Sequence, residues 1–157
     1  MRQSQFPLRV NVGFTLMLQP GESREMSFHF ATLIFEPELT MKEFKGVVNF
    51  VRTRQGVLAQ GDFEATIDQA CTRCLEEFPY PIYITFEELY AFEESDMTES
   101  ELILPEDGFI DLQPLVREYF VLEIPIQPVC KPDCKGLCPV CGENRNLVSC
   151  GHETTNL

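Results

Sequence analysis

The stretch FKGVVNFVRTRQGVLAQGDFEATI, residues 44–67, decides the fold of this chain. Its two halves, residues 44–53 and 57–67, alternate apolar with polar residues and are rich in β-branched and aromatic types, which is typical of strands that bury one face. Only residues 54–56 (RQG) separate the halves, and a connection this short joins neighbouring antiparallel strands. The sequence therefore predicts a β-hairpin at the centre of the chain.

Further strands are predicted on both sides of this hairpin. Residues 80–90 (YPIYITFEELY) are again rich in aromatic and β-branched types, which favour strands. Residues 14–18 and 27–35 flank a Pro-Gly pair at residues 20–21, and this dipeptide marks a turn. Together these runs predict an antiparallel sheet that is curved or barrel-like.

One main helix is predicted near residues 111–123. Asp111 is a suitable N-cap, and apolar side chains recur at helical spacing over residues 112–122. Pro125 and Pro128 end the helix. Its apolar face is expected to pack on the sheet, so the predicted fold class is β-rich α+β.

Residues 129–157 differ in composition from the rest of the chain. They hold five of the seven cysteines and few apolar residues. A segment that cannot fold by burial alone is usually held by a metal. The predicted organisation is a β-rich domain over residues 1–128 and a cysteine-rich zinc-binding segment over residues 129–157 that packs on it.

Eight candidate zinc ligands form four short pairs along the chain. The pairs are Cys71-x2-Cys74, Cys130-x3-Cys134, Cys138-x2-Cys141 and Cys150-Gly-His152. Since zinc prefers four thiolate or imidazole ligands, the simplest partition is two ions, one held by the first two pairs and one by the last two. A second partition stays open, in which the two middle pairs close one site and the first pair is a spare dithiol.

The abundance of cysteine favours a structural zinc over a catalytic one. A catalytic zinc keeps an open position for water, whereas a site with four protein ligands is closed. The sequence contains no phosphate-binding glycine loop and no Ser/His/Asp set, so neither an enzyme nor a small-molecule substrate is predicted. The alternative hypothesis is a redox-active or metal-handling protein in which Cys71 and Cys74 cycle between dithiol and disulfide.

The formal net charge of −13 is unevenly distributed. Residues 85–111 contain ten acidic residues and no Lys or Arg. This charge disfavours broad nucleic-acid binding. It is most simply a solvated surface, and the alternative is a docking face for a basic partner such as a ribosomal protein. No apolar run is long enough to cross a bilayer, and we expect a cytoplasmic protein.

Several of these motifs resemble the YceD family, whose members are described as large ribosomal RNA subunit accumulation proteins. The resemblance rests on residues 71–78 (CTRCLEEF), on the helix after Asp111, and on residues 125–144 (PIQPVCKPDCKGLCPVCGEN). It implies a β-rich domain with a role in the synthesis, processing or stability of 23S ribosomal RNA during ribosome biogenesis. Many relatives end in Cys-x-Cys where this chain has Cys150-Gly-His152.

The resemblance implies ribosomal RNA, a ribosomal protein or an assembly factor as the partner. Four cations close to the cysteines in sequence are the candidate contact residues: Arg73, Lys131, Lys135 and Arg145. The alternative is that these cations balance the charge of the thiolates.

Overall fold

The structure, a computed structural model, describes residues 6–152 and divides into two compact units. Unit 1 is formed by the described residues up to Thr66 together with Pro81–Ile124. Unit 2 is formed by Ile67–Tyr80 together with the described residues from Pro125 onward. The domain boundary predicted at residue 128 stays a prediction.

The described residues contain six strands and one α-helix. In chain order these are β1 (Arg9–Asn11), β2 (Ser23–Phe35), β3 (Leu39–Arg52), β4 (Gly56–Ala70), β5 (Glu77–Ala91), β6 (Phe109–Asp111) and α1 (Gln113–Glu123). Strands β2 to β5 form one sheet in chain order, and β1 pairs with β6 in a second, antiparallel sheet. The β-rich class with one main helix is confirmed, and the sheets of the described residues do not close into a barrel.

The predicted hairpin is confirmed as β3 and β4. The two strands are antiparallel, with Asn49 opposite Gln60 and Arg52 opposite Val57. At the turn, the N–H of Thr53 donates to the carbonyl oxygen of Gly56 over 2.8 Å. This bond satisfies the N–H of Thr53 and the carbonyl of Gly56 where the ladder ends.

Aromatic side chains fill the core of unit 1. Phe35, Phe44, Phe50 and Phe120 are all fully buried. The ring centroids of Phe44 on β3 and Phe120 on α1 lie 5.9 Å apart, within the range of favourable ring pairs. The apolar face of the helix therefore packs on the sheet, as predicted.

Two local predictions need correction. The strand predicted at residues 14–18 is wrong, because Gly13–Met17 form a 3₁₀ helix in which the Thr15 hydroxyl donates to the Val12 carbonyl oxygen over 2.6 Å. A short apolar run does not distinguish the two states by periodicity. The main helix begins later than predicted: Asp111 ends β6, and its carboxylate accepts a hydrogen bond from the N–H of Gln113 over 3.0 Å.

None of the helices in residues 6–152 is both long and apolar enough to cross a membrane.

Candidate metal centres

Cys71 and Cys74 lie in a tight turn directly after β4. The N–H of Cys71 donates to the carbonyl oxygen of Glu76, and the N–H of Leu75 donates to that of Cys71, each over 2.9 Å. The N–H of Arg73 lies 3.4 Å from Cys71 Sγ. Leu75 has a φ of 63°, in the left-handed region that costs an L-residue about 1–2 kcal/mol. The turn thus brings two thiols together and aims a backbone donor at one of them.

Cys138 and Cys141 lie in a second turn with the same backbone pattern. The N–H of Cys138 donates to the carbonyl oxygen of Glu143 over 2.8 Å, and the N–H of Gly142 donates to that of Cys138 over 2.9 Å. Gly142 takes the place that Leu75 has in the first turn, and its φ is 76°. Glycine adopts this conformation without a steric penalty.

The first group of candidate ligands joins the turn after β4 to the segment after α1. The sulfurs of Cys71, Cys74, Cys130 and Cys134 all lie within 4.8 Å of one another. The distance from Cys71 Sγ to Cys134 Sγ is 3.8 Å, and that from Cys74 Sγ to Cys130 Sγ is 3.7 Å. Zn–S bonds of about 2.3 Å in a tetrahedron place sulfurs about 3.8 Å apart. This group could hold a metal ion.

The second group lies entirely in the chain after residue 137. The ligand atoms of Cys138, Cys141, Cys150 and His152 also lie within 4.8 Å of one another. Cys138 Sγ is 3.6 Å from Nδ1 of His152. This group too could hold a metal ion. The two groups contain the same residues as the two sites of the simplest predicted partition.

Electrostatics favour a cation at the first group. Burial raises the pKa of the Cys71 thiol, but backbone N–H groups of Cys74, Cys130 and Arg73 outweigh it and lower this pKa to about 6. Burial and the sulfurs of Cys134, Cys74 and Cys71 raise the pKa of Cys130 to about 12. Neighbouring thiolates repel one another, so a divalent cation is what would let all four sulfurs ionise together.

The second group contains a thiol that ionises easily as well. The backbone N–H groups of Cys141 and Val140, opposed by burial, lower the pKa of Cys138 to about 5. Metal ligation requires thiolates. A low thiol pKa therefore reduces the competition from protons at this group.

Asn146 contacts the first group, although it lies in the loop between Cys141 and Cys150. Its Nδ2 donates to Cys134 Sγ over 3.3 Å, and its Oδ1 accepts from the N–H of Lys135 over 2.9 Å. The first of these bonds is the largest cause of the lowered pKa of Cys134. Partners of this kind orient and tune metal ligands. Sequence reasoning missed Asn146, because its spacing from the cysteines does not distinguish it from a surface residue.

The predicted contact cations lie in different environments. Arg73 donates through Nη1 to the carbonyl oxygens of Cys134 and Pro132, over 3.2 and 3.5 Å. Lys131 and Lys135 are exposed. Arg145 is half-buried, and its N–H donates to the carbonyl oxygen of Gly136 over 2.9 Å. Arg73 is exposed as well, so three of the four cations are accessible, and the two lysines differ from Arg73 in their position directly after a candidate ligand.

The chain is similar in sequence to a family model and to several curated proteins. A family model described as "Large ribosomal RNA subunit accumulation protein YceD" matches residues 59–157. An uncharacterized protein of Mycobacterium bovis is 39% identical over 92 residues, which cover 56% of this chain and 44% of the relative. The uncharacterized protein YlbN of Bacillus subtilis is 37% identical over 81 residues, which cover 50% and 47%.

A plant relative carries a descriptive name. The protein "Large ribosomal RNA subunit accumulation protein YCED homolog 1, chloroplastic" of Zea mays is 28% identical over 133 residues, which cover 65% of this chain and 45% of the relative. The chain thus spans about half the length of the curated relatives it matches. No solved structure matches the chain.

Proposed function

The chain belongs to the YceD family, and on that premise we propose that it is a non-catalytic zinc-binding factor for the synthesis, processing or stability of 23S ribosomal RNA. The observation that carries this proposal is the family match over residues 59–157. That range includes all eight candidate ligands. Both groups of candidate ligands therefore lie in the part of the chain that matches the family model. We place the proposed role in the cytoplasm.

Zinc suits the two groups better than magnesium or calcium does. Both are built from thiols with at most one imidazole, and such ligands select zinc over magnesium or calcium. When bound, zinc would supply a fixed positive charge that holds together segments distant in sequence. Each group has four protein ligands, which is the number of a closed structural site.

Thiols make up most of the buried apolar side chains in the described part of unit 2. One cluster consists of the buried Cys71, Cys74 and Cys134, against which Phe78 and Val129 pack, and Ile67 and Cys138 are buried as well. Small domains with too little apolar burial commonly depend on a metal. Zinc would then be part of the folded state of unit 2 and would perform no reaction.

The redox alternative for Cys71 and Cys74 is not favoured. Both sulfurs lie 3.7–3.8 Å from sulfurs of the segment after α1, so they share a four-ligand environment. A thioredoxin-like dithiol opens a helix in a βαβ unit, whereas this pair lies between β4 and β5.

RNA contact would involve the exposed lysines beside the first group. Lys131 follows Cys130 and Lys135 follows Cys134, so a metal that orders these cysteines would also position both cations. Removal of one cation that faces a phosphate should reduce the salt dependence of binding by about one unit of slope. A Lys131→Ala/Lys135→Ala variant should therefore bind a 23S fragment more weakly and with a slope smaller by about two. A variant with unchanged RNA affinity would remove these lysines from the proposal.

The cellular proposal is tested by deletion of the gene. We expect the ratio of 23S to 16S ribosomal RNA to fall in the deletion strain and to recover with the wild-type gene. A Cys71→Ser/Cys138→Ser variant should not restore the ratio, whereas Ser149→Ala, an exposed change beside Cys150, should. An unchanged ratio in the deletion strain would contradict the proposed function.

A further inference from the structure

Unit 1 has a groove that plays no part in the metal centres. It lies between the end of β5, the segment at residues 99–102 and helix α1, and it has a cavity volume of about 550 Å³. This volume is within the range of roughly 300–1,000 Å³ that is usual for binding pockets.

One wall of the groove is acidic. Glu88, Glu99 and Glu118 line it, and none of the described residues in its lining is a Lys or Arg. The carboxylate of Glu88 is held in place, because it accepts a hydrogen bond from the Tyr119 hydroxyl over 2.8 Å and another from the Ser100 hydroxyl over 2.6 Å. Glu99 and Glu118 are exposed. The groove therefore presents negative charge that its own lining does not neutralise.

The remaining lining is largely apolar. Leu102, Leu115 and Leu122 contribute to it, with Pro114 at the start of the helix. Leu122 leaves 74% of its surface exposed. An apolar surface rimmed by charges is typical of a site that binds another protein.

We propose that this groove docks a segment of a partner protein in which one or two leucine-sized side chains are flanked by Lys or Arg. The apolar side chains would cover Leu115 and Leu122, while the cations would face Glu99 and Glu118. Charge complementarity determines this choice of occupant, since a nucleic-acid backbone would be repelled by the same carboxylates. This inference deepens the proposed function, on which it rests for the nature of the partner: a basic protein of the ribosomal subunit or of its assembly.

Peptide binding to the full chain tests this docking site. The probe is a fluorescein-labelled peptide, Lys-Arg-Leu-Lys-Lys-Leu-Lys-Arg, and the matched peptide has Ser in place of both leucines. We expect the leucine peptide to bind at least about tenfold more tightly, a difference of about 1.4 kcal/mol.

Charge-reversal variants distinguish binding in the groove from general attraction to the negative charge of the chain. Glu99→Lys/Glu118→Lys should weaken binding of the leucine peptide about tenfold. Glu36→Lys/Glu38→Lys changes two exposed residues of the β2–β3 connection by the same net charge. That control should weaken binding about twofold or less, because Glu36 and Glu38 do not line the groove and exposed charges outside a site are screened by salt.

The apolar contact has its own matched pair of variants. Leu122→Ser should weaken binding of the leucine peptide, whereas Met17→Ser, at a side chain that is 88% exposed elsewhere in unit 1, should leave it unchanged. All of the residues changed are exposed, so the variants are expected to remain folded, which circular dichroism checks.

The docking site is overturned by any of three results: no binding of either peptide, equal affinity for both peptides, or equal weakening by both charge reversals. These results are independent of the ratio of 23S to 16S ribosomal RNA. If the deletion strain keeps a normal ratio while the peptide binds as described, the proposed function fails and the docking site stands. If the ratio falls and the peptide does not bind, the reverse holds.

Discussion

Replacement of one cysteine in each group is expected to remove one zinc ion at a time. Cys71→Ser and Cys138→Ser are a matched pair, because each residue opens a turn with the same backbone hydrogen bonds. A serine hydroxyl is not ionised at neutral pH and is a poor zinc ligand. The wild-type chain should carry two zinc ions and each variant one, since the ligand atoms form two groups of four.

The energetic effect on unit 2 should be large. Structural zinc contributes an apparent free energy of about 10–16 kcal/mol at neutral pH, which is comparable to the whole stability of a domain, about 5–15 kcal/mol. Cys71→Ser should therefore separate the turn after β4 from the segment after α1. The N–H of Thr72, which donates to the Pro128 carbonyl oxygen over 2.9 Å, reports this separation directly.

Metal analysis and hydrogen exchange together measure these effects. Elemental analysis gives the number of zinc ions, and exchange measured at residues 67–80 gives the protection of the turn. In Cys71→Ser the amide of Thr72 should lose its protection, while Cys138→Ser should retain it. Ser149→Ala should keep both ions and full protection. A wild-type chain with one zinc ion that Cys71→Ser leaves in place would refute the reasoning.

Three further outcomes are expected. Gly142→Ala should lower the unfolding free energy of unit 2 by about 1–2 kcal/mol, measured by urea denaturation. The loss would come from backbone strain at a φ of 76° and not from a steric clash, because an added Cβ would meet nothing within 4 Å. Asn146→Ala should speed transfer of zinc to a chelator by about 10–100-fold, since the variant lacks the Nδ2 bond to Cys134 of the first group. An unchanged transfer rate would show that Asn146 does not tune this group. The hydrogen bond to Glu88, with burial, raises the pKa of Tyr119 from about 10 to about 12. The stability that this hydrogen bond contributes should therefore be complete below pH 10 and be lost as the pH rises from 10 to 12. Tyr119→Phe should remove that part of the alkaline loss of stability, measured as the urea midpoint at pH 9 and at pH 12.

Local features of the structure could be predicted from the sequence. The alternation in residues 44–67 specified the β3–β4 hairpin, because a period of two is itself the geometry of a half-buried strand. The helical spacing after Asp111 specified α1. The Cys-Pro-Val-Cys-Gly run fits the second turn, since its last residue has a positive φ that glycine adopts without strain.

Contacts between residues distant in sequence could not be predicted in the same way. The spacing of the cysteines allowed two partitions, and no local rule chooses between them, because Cys71 and Cys134 are separated by 63 positions. The spacing of residues in the sequence also gave no sign of the hydrogen bond from Asn146 to Cys134. The acidic composition of residues 85–111 did not indicate which of its carboxylates would meet the leucines of α1 in one groove.

The sequence by itself therefore determined the central hairpin, the main helix and the residues that are candidates to bind a metal. The tertiary structure decided which ligands lie together, which polar groups support them, and where the acidic segment meets an apolar surface. The physical reason is that strand periodicity, turn chemistry and ligand type act over a few residues. The assembly of a four-ligand site depends instead on chain reversals that bring distant turns within a few ångströms of one another.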